Sequence, residues 1–226
     1  MRIAVLLLMS LIVISRQTPA FAATINLPAA VDGTVQFSGA FGLEAFGTEP
    51  LVRTNSSGPN NNRSGVFEFD LSDLPSDARI MSATLRLTTA ELIANPASRE
   101  APLTFQAYSG NGLIQIDDFG TEDEREDAAM VVAIESLPAA PLSPPPGTVL
   151  NVSLSNLEPL QSAVGNSSFF GVRTITEDFV SFQVHSRENG NRARTPTLEV
   201  EFVPEPRTGL MLALGFLSLV GLCRRD

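Results

Sequence analysis

Alternation of apolar and polar side chains recurs along the central part of the chain. Phe67, Phe69 and Leu71 alternate with Glu68 and Asp70. The same pattern returns in five further stretches, at residues 83–88, 103–107, 150–154, 180–185 and 198–202. Successive side chains of a β-strand point to opposite faces of a sheet, so each stretch predicts a strand with one apolar face and one wet face. Such strands need cover on the apolar face, and we therefore expect two sheets packed face to face.

Shorter apolar stretches predict further strands, at residues 34–38, 51–54, 130–135 and 168–174. About ten short strands, separated by turns rich in Gly, Pro, Asn and Asp, predict an all-β fold, an antiparallel β-sandwich of jelly-roll type in a single domain. One short helix is predicted at 157–164, capped by Ser155 or Asn156 and ended by Gly165 and Asn166.

The N-terminus has the organisation of a secretory signal peptide. Met1-Arg2 is positively charged, residues 3–14 are apolar except for Ser10, and Ala20 and Ala22 occupy the two positions that a signal peptidase reads. We therefore predict export through the Sec machinery and cleavage after Ala22. An uncleaved transmembrane helix is the alternative, although an apolar core of about a dozen residues is short for one.

The C-terminus has the organisation of a membrane anchor. Val203, Pro204, Glu205 and Pro206 break the chain, residues 208–223 (TGLMLALGFLSLVGLC) are almost entirely apolar, and Arg224-Arg225 follow directly. A helix of this length spans about 24 Å, which is close to the ~30 Å hydrocarbon core if the arginines snorkel. Arginines retained in the cytoplasm would place the preceding residues outside the inner membrane. A buried core helix is the alternative interpretation.

A proline-containing motif, an apolar helix and a terminal basic cluster, in this order, resemble the PEP-CTERM sorting signal of bacterial surface and secreted proteins. The resemblance implies processing near residues 203–207 by an exosortase, a membrane-embedded cysteine transpeptidase. It also implies a bacterium that makes exopolysaccharide and lives in biofilms or flocs. The chain is thus predicted to consist of a signal peptide (1–22), a β-sandwich body (23–203) and a sorting signal (204–226) with its transmembrane helix at 208–223.

The body carries a second resemblance. The phrases FDLS at 69–72, LP at 74–75, SATLRL at 82–87, SRE at 186–188 and PTLEV at 196–200 resemble the DNRLRE-type or disaggregatase-related β-sandwich modules. The physical content of the first three phrases is a strand, a proline-containing turn and a second strand. The resemblance implies a sandwich fold, and its members include modules that bind polysaccharide and modules without a known ligand.

Charge and cysteine content exclude several classes of function. Residues 23–203 contain 23 acidic and 10 basic side chains, a net charge of −13, and all basic residues are arginine. An acidic body repels nucleic acid, so we predict no nucleic-acid partner. The only cysteine, Cys223, lies in the predicted anchor, which excludes a disulfide framework within the body.

Few residues have the chemistry of a catalytic or metal site. His185 is the only histidine and would have to be the base of any Ser-His-Asp arrangement. We interpret it as an exposed strand histidine, and a zinc site lacks the necessary ligands. The pairs Glu68/Asp70 and Glu199/Glu201 could serve glycoside hydrolysis, but they are typical of a solvated sheet surface. We therefore predict no catalytic residues and no enzymatic activity.

The acidic segment at residues 117–127 (DDFGTEDERED) has seven carboxylates, from Asp117 to Asp127. Carboxylate oxygens are ligands for calcium, but the segment lacks the ordered spacing and the glycine of an EF-hand loop. A solvated acidic loop is the preferred interpretation, with a calcium site as the alternative. No other cofactor or metal is predicted.

Polysaccharide binding is the most specific functional hypothesis for the body. The chain has no Trp and a single Tyr, Tyr108, so a sugar would not be held by a row of exposed aromatic rings. Arginine side chains on the wet face or at the rim, with Arg86, Arg173 and Arg187 as candidate contacts, suit a carboxylated or sulfated glycan. The first expectation remains a structural or adhesive protein of the cell surface or biofilm matrix. Polysaccharide binding is second, and a polysaccharide hydrolase is third.

Overall fold

The computed structural model of the chain describes residues 21–56, 61–90, 103–119, 132–137, 145–166, 168–176 and 181–204. Within these ranges the protein is all-β, as predicted. The strands are β1 (Ala23–Ser38), β2 (Gly42–Phe46), β3 (Leu51–Ser56), β4 (Asn61–Asp70), β5 (Ala78–Thr88), β6 (Leu103–Gly110), β7 (Val132–Leu137), β8 (Val149–Ser153), β9 (Phe169–Thr176), β10 (Ser181–His185) and β11 (Thr197–Pro204). The helices are α1 (Glu158–Ala163) and three short 3-10 helices, at Ile116–Phe119, Arg187–Asn189 and Arg192–Arg194.

Every strand pairing is antiparallel, and the strands form one continuous hydrogen-bonded network. Its main order is β7-β6-β9-β4-β1-β11-β5-β8. Outside this path, β2 pairs with β1, and β3 pairs with both β4 and β10. Strands that are neighbours in the network are therefore often distant in sequence, as for β1 and β11.

Strand β1 joins the two parts of the network. Its first residues, from Ala23 to Pro28, pair with β11, whereas the residues from Ala29 onwards pair with β4 and then with β2 as well. The register of the β1–β4 pairing shifts between Ala29 and Val31, which is the sign of a bulge. A bulge bends a strand and increases its twist, so β1 changes partners without being interrupted.

A single large core cluster lies between the two parts of the network. Phe67 and Phe69 of β4 contribute to it from one part, and Leu85 of β5 and Leu198 of β11 contribute from the other. These four side chains are almost completely buried. Burying each of them stabilises the fold by roughly 1.5–3 kcal/mol relative to leaving it exposed. The apolar positions of the alternating stretches thus face the core, as the period of two predicts.

The N-cap residue of α1 is Leu157, whose side chain makes no capping hydrogen bond, so the predicted cap at Ser155 or Asn156 is wrong, whereas the C-terminal glycine signal is confirmed. The Asn156 side chain accepts a hydrogen bond from the Glu158 N–H at 3.1 Å, so Asn156 rather than Ser155 satisfies a donor of the first turn. Gly165 follows the helix with φ +86°, a left-handed conformation that glycine adopts without strain.

Two strand features were not predicted. Strand β2 is too short and too mixed in composition to show a period, and the part of β1 before residue 34 contains Pro28 and Gly33, which usually interrupt strands. Glu68 was expected on a wet face, and this expectation is wrong, since its side chain is completely buried. The outer face of β4 is covered at that position by the segment that follows β6, which alternation alone does not reveal.

The predicted terminal signals lie almost entirely outside the described residues. The residues of these signals that lie outside the described ranges include Ala20, Glu205, Pro206, the segment at 208–223, Arg224 and Arg225. Among the residues that the structure does describe, there is no helix with the length and apolarity needed to cross a bilayer.

Gly33 should tolerate no side chain. A Cβ atom at this position of β1 would overlap the backbone carbonyl oxygen of Phe46, and backbone in a paired strand cannot move aside cheaply. We expect Gly33→Ala to lower the free energy of unfolding by about 1–3 kcal/mol in urea titrations. Gly47→Ala is the matched control, because its Cβ would meet only the Ile114 side chain, at an ordinary 3.4 Å. Equal stability of the two variants would contradict this reading of β1.

Candidate functional site

The three candidate glycan-binding arginines lie on three different elements. Arg86 is exposed on β5, and Arg187 lies in the 3-10 helix after β10 with 43% of its side chain exposed. Arg173 of β9, by contrast, is only 4% exposed, and its Nε donates a hydrogen bond to Gln106 Oε1 at 2.6 Å. The expectation that Arg173 lies on a wet face or at a rim is therefore corrected. Its strand is interior to the network, between β4 and β6, and the side chain is covered there.

An exposed, arginine-rich loop connects β10 to β11. We call residues 186–195 the arginine loop, because Arg187, Arg192 and Arg194 are all exposed on it. Its two 3-10 helices are capped by side chains, since Ser186 accepts the Glu188 N–H and Asn191 accepts the Ala193 N–H. These local hydrogen bonds give the loop a defined backbone conformation, so its arginines project from an ordered segment.

A buried carboxylate fastens a second loop, the one that follows β6. Glu68 on β4 is 0% exposed, and its Oε2 accepts backbone hydrogen bonds from Asn111 at 3.0 Å and Gly112 at 2.5 Å. The Tyr108 hydroxyl donates to Glu68 Oε1 at 3.0 Å. We call these four residues the Glu68 cluster. Burial raises the pKa of Glu68, while the backbone and hydroxyl donors act in the opposite direction.

A glycine makes the contact between Tyr108 and Glu68 possible. Gly171 of β9 is paired with Glu68 on one side and with Tyr108 on the other. A Cβ atom on Gly171 would lie 2.5 Å from Tyr108 Cζ, so the tyrosine ring lies directly over this glycine and reaches across β9. The hydroxyl is thereby buried beside a carboxylate, and the pKa of Tyr108 is raised well above its usual value, mainly by burial.

Asp118 extends the buried polar region. It belongs to the segment predicted as a solvated acidic loop, but it is buried, and its Oδ2 accepts the Gln115 N–H at 2.6 Å. Burial and the negative charges of Glu68 and Asp117 raise the pKa of Asp118 to about 7, against the hydrogen bond from Gln115. Only residues 117–119 of the acidic segment fall within the described residues. The predicted calcium site at Asp117 to Asp127 thus lies largely outside them.

A second buried carboxylate, Asp32, anchors the arginine loop to β1. It is 1% exposed, and its Oδ2 accepts the Arg187 N–H at 2.9 Å. The Asp32 side chain also faces the Glu188 carboxyl group, and burial together with Glu188 raises the pKa of Asp32 to about 8. The Ala29 N–H donates to Pro196 O at 2.8 Å, so the far end of the loop is attached to β1 as well.

His185 is engaged with the arginine loop. Its Nε2 lies 3.2 Å from Nη1 of Arg194, and because an arginine only donates, Nε2 is the acceptor. Burial and the Arg194 charge lower the pKa of His185, so the ring is neutral near pH 7. The nitrogen that would accept a proton from a nucleophile is thus already paired with a cation.

The described ranges contain no group of three or more His, Cys, Asp or Glu side chains arranged to hold a metal ion.

Of the sorting motif, Val203 and Pro204 are within the described residues, where they belong to β11 and pair with Arg79 and Ala78 of β5. Strand β11 therefore includes the first proline of the motif.

Sequence reasoning missed Asp32 and the buried role of Glu68. Asp32 stands inside a strand-forming stretch, AAVDGTVQF, where a lone carboxylate between valines was a usable signal of a buried polar group. No comparable signal existed for Glu68, because its burial depends on Tyr108 and Gly112, which are about forty residues away.

In comparisons with known proteins, no family model matches the chain, and no curated protein matches it either. The two resemblances derived from the sequence therefore stay predictions.

Asp118 should make the stability of the protein depend on pH. Its pKa is about 7 in the folded protein against an ordinary value of 3.8, so its stabilising contribution is complete below pH 4 and is lost as the pH rises through 7. We expect Asp118→Asn, which is neutral at every pH, to lose less stability over this interval than the parent chain, by on the order of 1–3 kcal/mol in urea titrations.

Asp73→Asn is the control for the Asp118 experiment, because Asp73 is an exposed carboxylate in the turn after β4. It should keep the pH dependence of the parent chain. An Asp118→Asn profile parallel to the parent profile from pH 4 to pH 8 would refute the role of Asp118.

Proposed function

We propose that the chain is an exported β-sandwich protein of jelly-roll type that an exosortase sorts and processes, with a structural or adhesive role at the cell surface or in an extracellular polysaccharide matrix. Support comes from the order of the sequence features: a signal peptide with Ala20 and Ala22, a β-rich body, and a tail with the PEP motif, an apolar segment and Arg224-Arg225. Signal peptidase, the Sec machinery, the inner membrane and an exosortase are the implied partners.

The observation that carries the proposal is the position of the PEP motif relative to the last strand. Pro204 is the final residue of β11 and pairs with Ala78, and Glu205 follows it directly. The core of the described residues is assembled from strands that precede Glu205. A cut after Pro204 would therefore release the body without removing any strand from the sheet.

A non-enzymatic role is supported by the enclosure of the titratable groups. Glu68, Asp32 and Asp118 are buried, and each accepts a backbone N–H group, from a neighbouring loop for Glu68 and Asp32 and from its own segment for Asp118. His185 has its Nε2 paired with Arg194. The proposed glycoside-hydrolase pair Glu68/Asp70 would have to act from a carboxylate that no substrate reaches, which leaves Glu199/Glu201 as the only predicted pair on the surface.

Polysaccharide binding is the second candidate function, and the arginine loop favours it. Three exposed guanidinium groups on one ordered loop present planar donor pairs that match carboxylate or sulfate groups. They also provide a local positive charge on an acidic body, so an acidic exopolysaccharide would be attracted to this loop rather than to the rest of the surface.

Exosortase processing is tested by the intact mass and the location of the mature protein in producing cells. We expect a body that begins at Ala23 and ends within residues 203–207, found in the matrix or the medium. Pro206→Ala, which lies just beyond β11, should leave most of the chain unprocessed and membrane-associated, because the extended motif is the element recognised.

Pro146→Ala is the matched control, since Pro146 is an exposed proline in a turn of the body, and this variant should be processed normally. A parent chain that keeps residues 210–226 in the inner membrane would refute sorting by an exosortase. The chain would then be a membrane-anchored periplasmic protein.

Polysaccharide binding is tested by retention on an immobilised polyuronate column at low salt. We expect Arg187→Ala, Arg192→Ala and Arg194→Ala, combined in one variant, to reduce retention at least about tenfold, because three exposed charge-assisted contacts are each worth roughly 0.5–1 kcal/mol. Arg79→Ala on β5 controls for the loss of positive charge, and Arg86→Ala tests the other exposed candidate. Retention that is unchanged in the combined variant would exclude the arginine loop as the binding surface.

A further inference from the structure

The Asp32 carboxylate is deeply buried but only partly satisfied. One of its oxygens, Oδ2, accepts the Arg187 N–H. The other, Oδ1, is also buried, and no hydrogen-bond donor reaches it within the described part of the chain. A buried carboxylate oxygen without a partner costs free energy, so an unmatched oxygen at 1% exposure calls for an explanation.

The neighbouring group makes the arrangement less favourable still. The Asp32 side chain lies against the Glu188 carboxyl group, so two hydrogen-bond acceptors lie together unless one of them carries a proton. The Arg187 side chain compensates Glu188 only partly, because its Nε lies 3.2 Å from Glu188 Oε1 while the arginine remains 43% exposed. No arginine side chain is hydrogen-bonded to Asp32 within the described residues. Two carboxyl groups that face each other are stabilised either by a proton that they share or by a cation that binds both.

We propose that Asp32 and Glu188 bind a divalent cation, with calcium as the preferred ion. Calcium takes oxygen ligands in a flexible geometry, and carboxylates, backbone carbonyls and water can share its coordination shell. Asp32 supplies an oxygen that is already free of hydrogen bonds, and Glu188 supplies a second carboxylate whose side chain is 29% exposed. The partial exposure of Glu188 provides a route for the ion to enter from solvent.

The position of this pair gives the ion a structural task. Asp32 lies on β1 directly after the bulge at which the strand changes partners, and Glu188 lies on the arginine loop. A bound ion would join β1 to that loop alongside the hydrogen bond from the Arg187 N–H to Asp32, which itself spans 155 residues of sequence separation. The arginine loop would then be held in place by the ion. The proposal does not depend on exosortase sorting or on polysaccharide binding.

The proposed site is separate from the acidic segment that begins at Asp117. Asp118, the buried carboxylate of that segment, is already hydrogen-bonded to Gln115 and lies in the region of Glu68 and Tyr108. Substitutions at Asp32 and Glu188 therefore distinguish the two places without changing any carboxylate of the acidic segment.

The experiment uses the full chain in detergent micelles, freed of metal with EDTA and then titrated with CaCl2 by isothermal calorimetry. We expect an event of one ion per chain with a Kd of about 0.1–1 mM, as in extracellular calcium modules. In thermal unfolding followed by circular dichroism, 10 mM CaCl2 should raise Tm by about 5 °C. MgCl2 at the same concentration should raise Tm less, because Mg²⁺ demands octahedral geometry and dehydrates reluctantly.

Asp32→Asn and Glu188→Gln should each weaken this binding event at least about tenfold and remove the Tm increase. Asp32→Asn should remain folded in EDTA with a Tm at or above that of the parent chain, because a neutral amide is cheaper to bury than a carboxylate. If Asp32→Asn does not fold, Glu188→Gln decides the question, since its side chain is partly exposed. Asp73→Asn, at an exposed carboxylate, should keep the full response.

Two results would overturn the proposal. A calcium response that survives unchanged in Asp32→Asn and Glu188→Gln would assign the ion to another part of the chain, the acidic segment being the first candidate. A parent chain without any calcium-dependent Tm change, together with a stable Asp32→Asn variant, would mean that the two carboxyl groups are matched by a proton alone.

Discussion

The fold depends on the continuity of one strand, β1, through a change of partner. Its first residues complete one part of the network by pairing with β11, and the remainder pairs with β4 in the other part. Backbone donors and acceptors must be satisfied on both sides of the bend. The bulge between Ala29 and Val31 therefore constrains the positions of the strands that pair with β1, which are β11, β4 and β2. Gly33 lies just beyond this bend, where β2 approaches so closely that no side chain fits.

Buried carboxylates are the second organising feature, and each of them holds a loop against a strand. Glu68 on β4 gathers the backbone N–H groups of Asn111 and Gly112, and Asp32 on β1 gathers that of Arg187. The protein thus uses buried carboxyl groups where a larger apolar core would otherwise have to cover the sheet. Burying a carboxyl group costs free energy unless each of its oxygens takes part in a hydrogen bond. The Glu68 cluster meets the condition through several donors, whereas Asp32 meets it only in part, and this difference separates a structural carboxylate from a candidate ion ligand.

The exposed surface of the described residues carries charges of both signs. Exposed carboxylates lie on the sheet and in its turns, and exposed arginines lie at Arg79 and Arg86 of β5 as well as on the arginine loop. The arginine loop brings three guanidinium groups together on an otherwise acidic body. In the proposed function, sorting and binding would be separate properties of this chain. The tail would direct delivery of the body, and the arginine loop would be the part of the described surface that meets an acidic glycan.

The amino-acid sequence by itself determined the all-β class, most of the strands and the helix at Glu158–Ala163. These follow from local physics, since the period of two in stretches such as 83–88 and the Asn156 and Gly165 signals act within a few residues.

Only the tertiary structure decided which faces of the strands are covered. Alternation marks Glu68 and Arg173 as polar positions, but their burial depends on Tyr108 crossing Gly171 and on Gln106 of a neighbouring strand. The contact of Asp32 with residues 187 and 188 likewise joins positions that are far apart in sequence. Contacts between residues so far apart in sequence leave no periodic trace, because a period describes the direction of a side chain and not what lies above it.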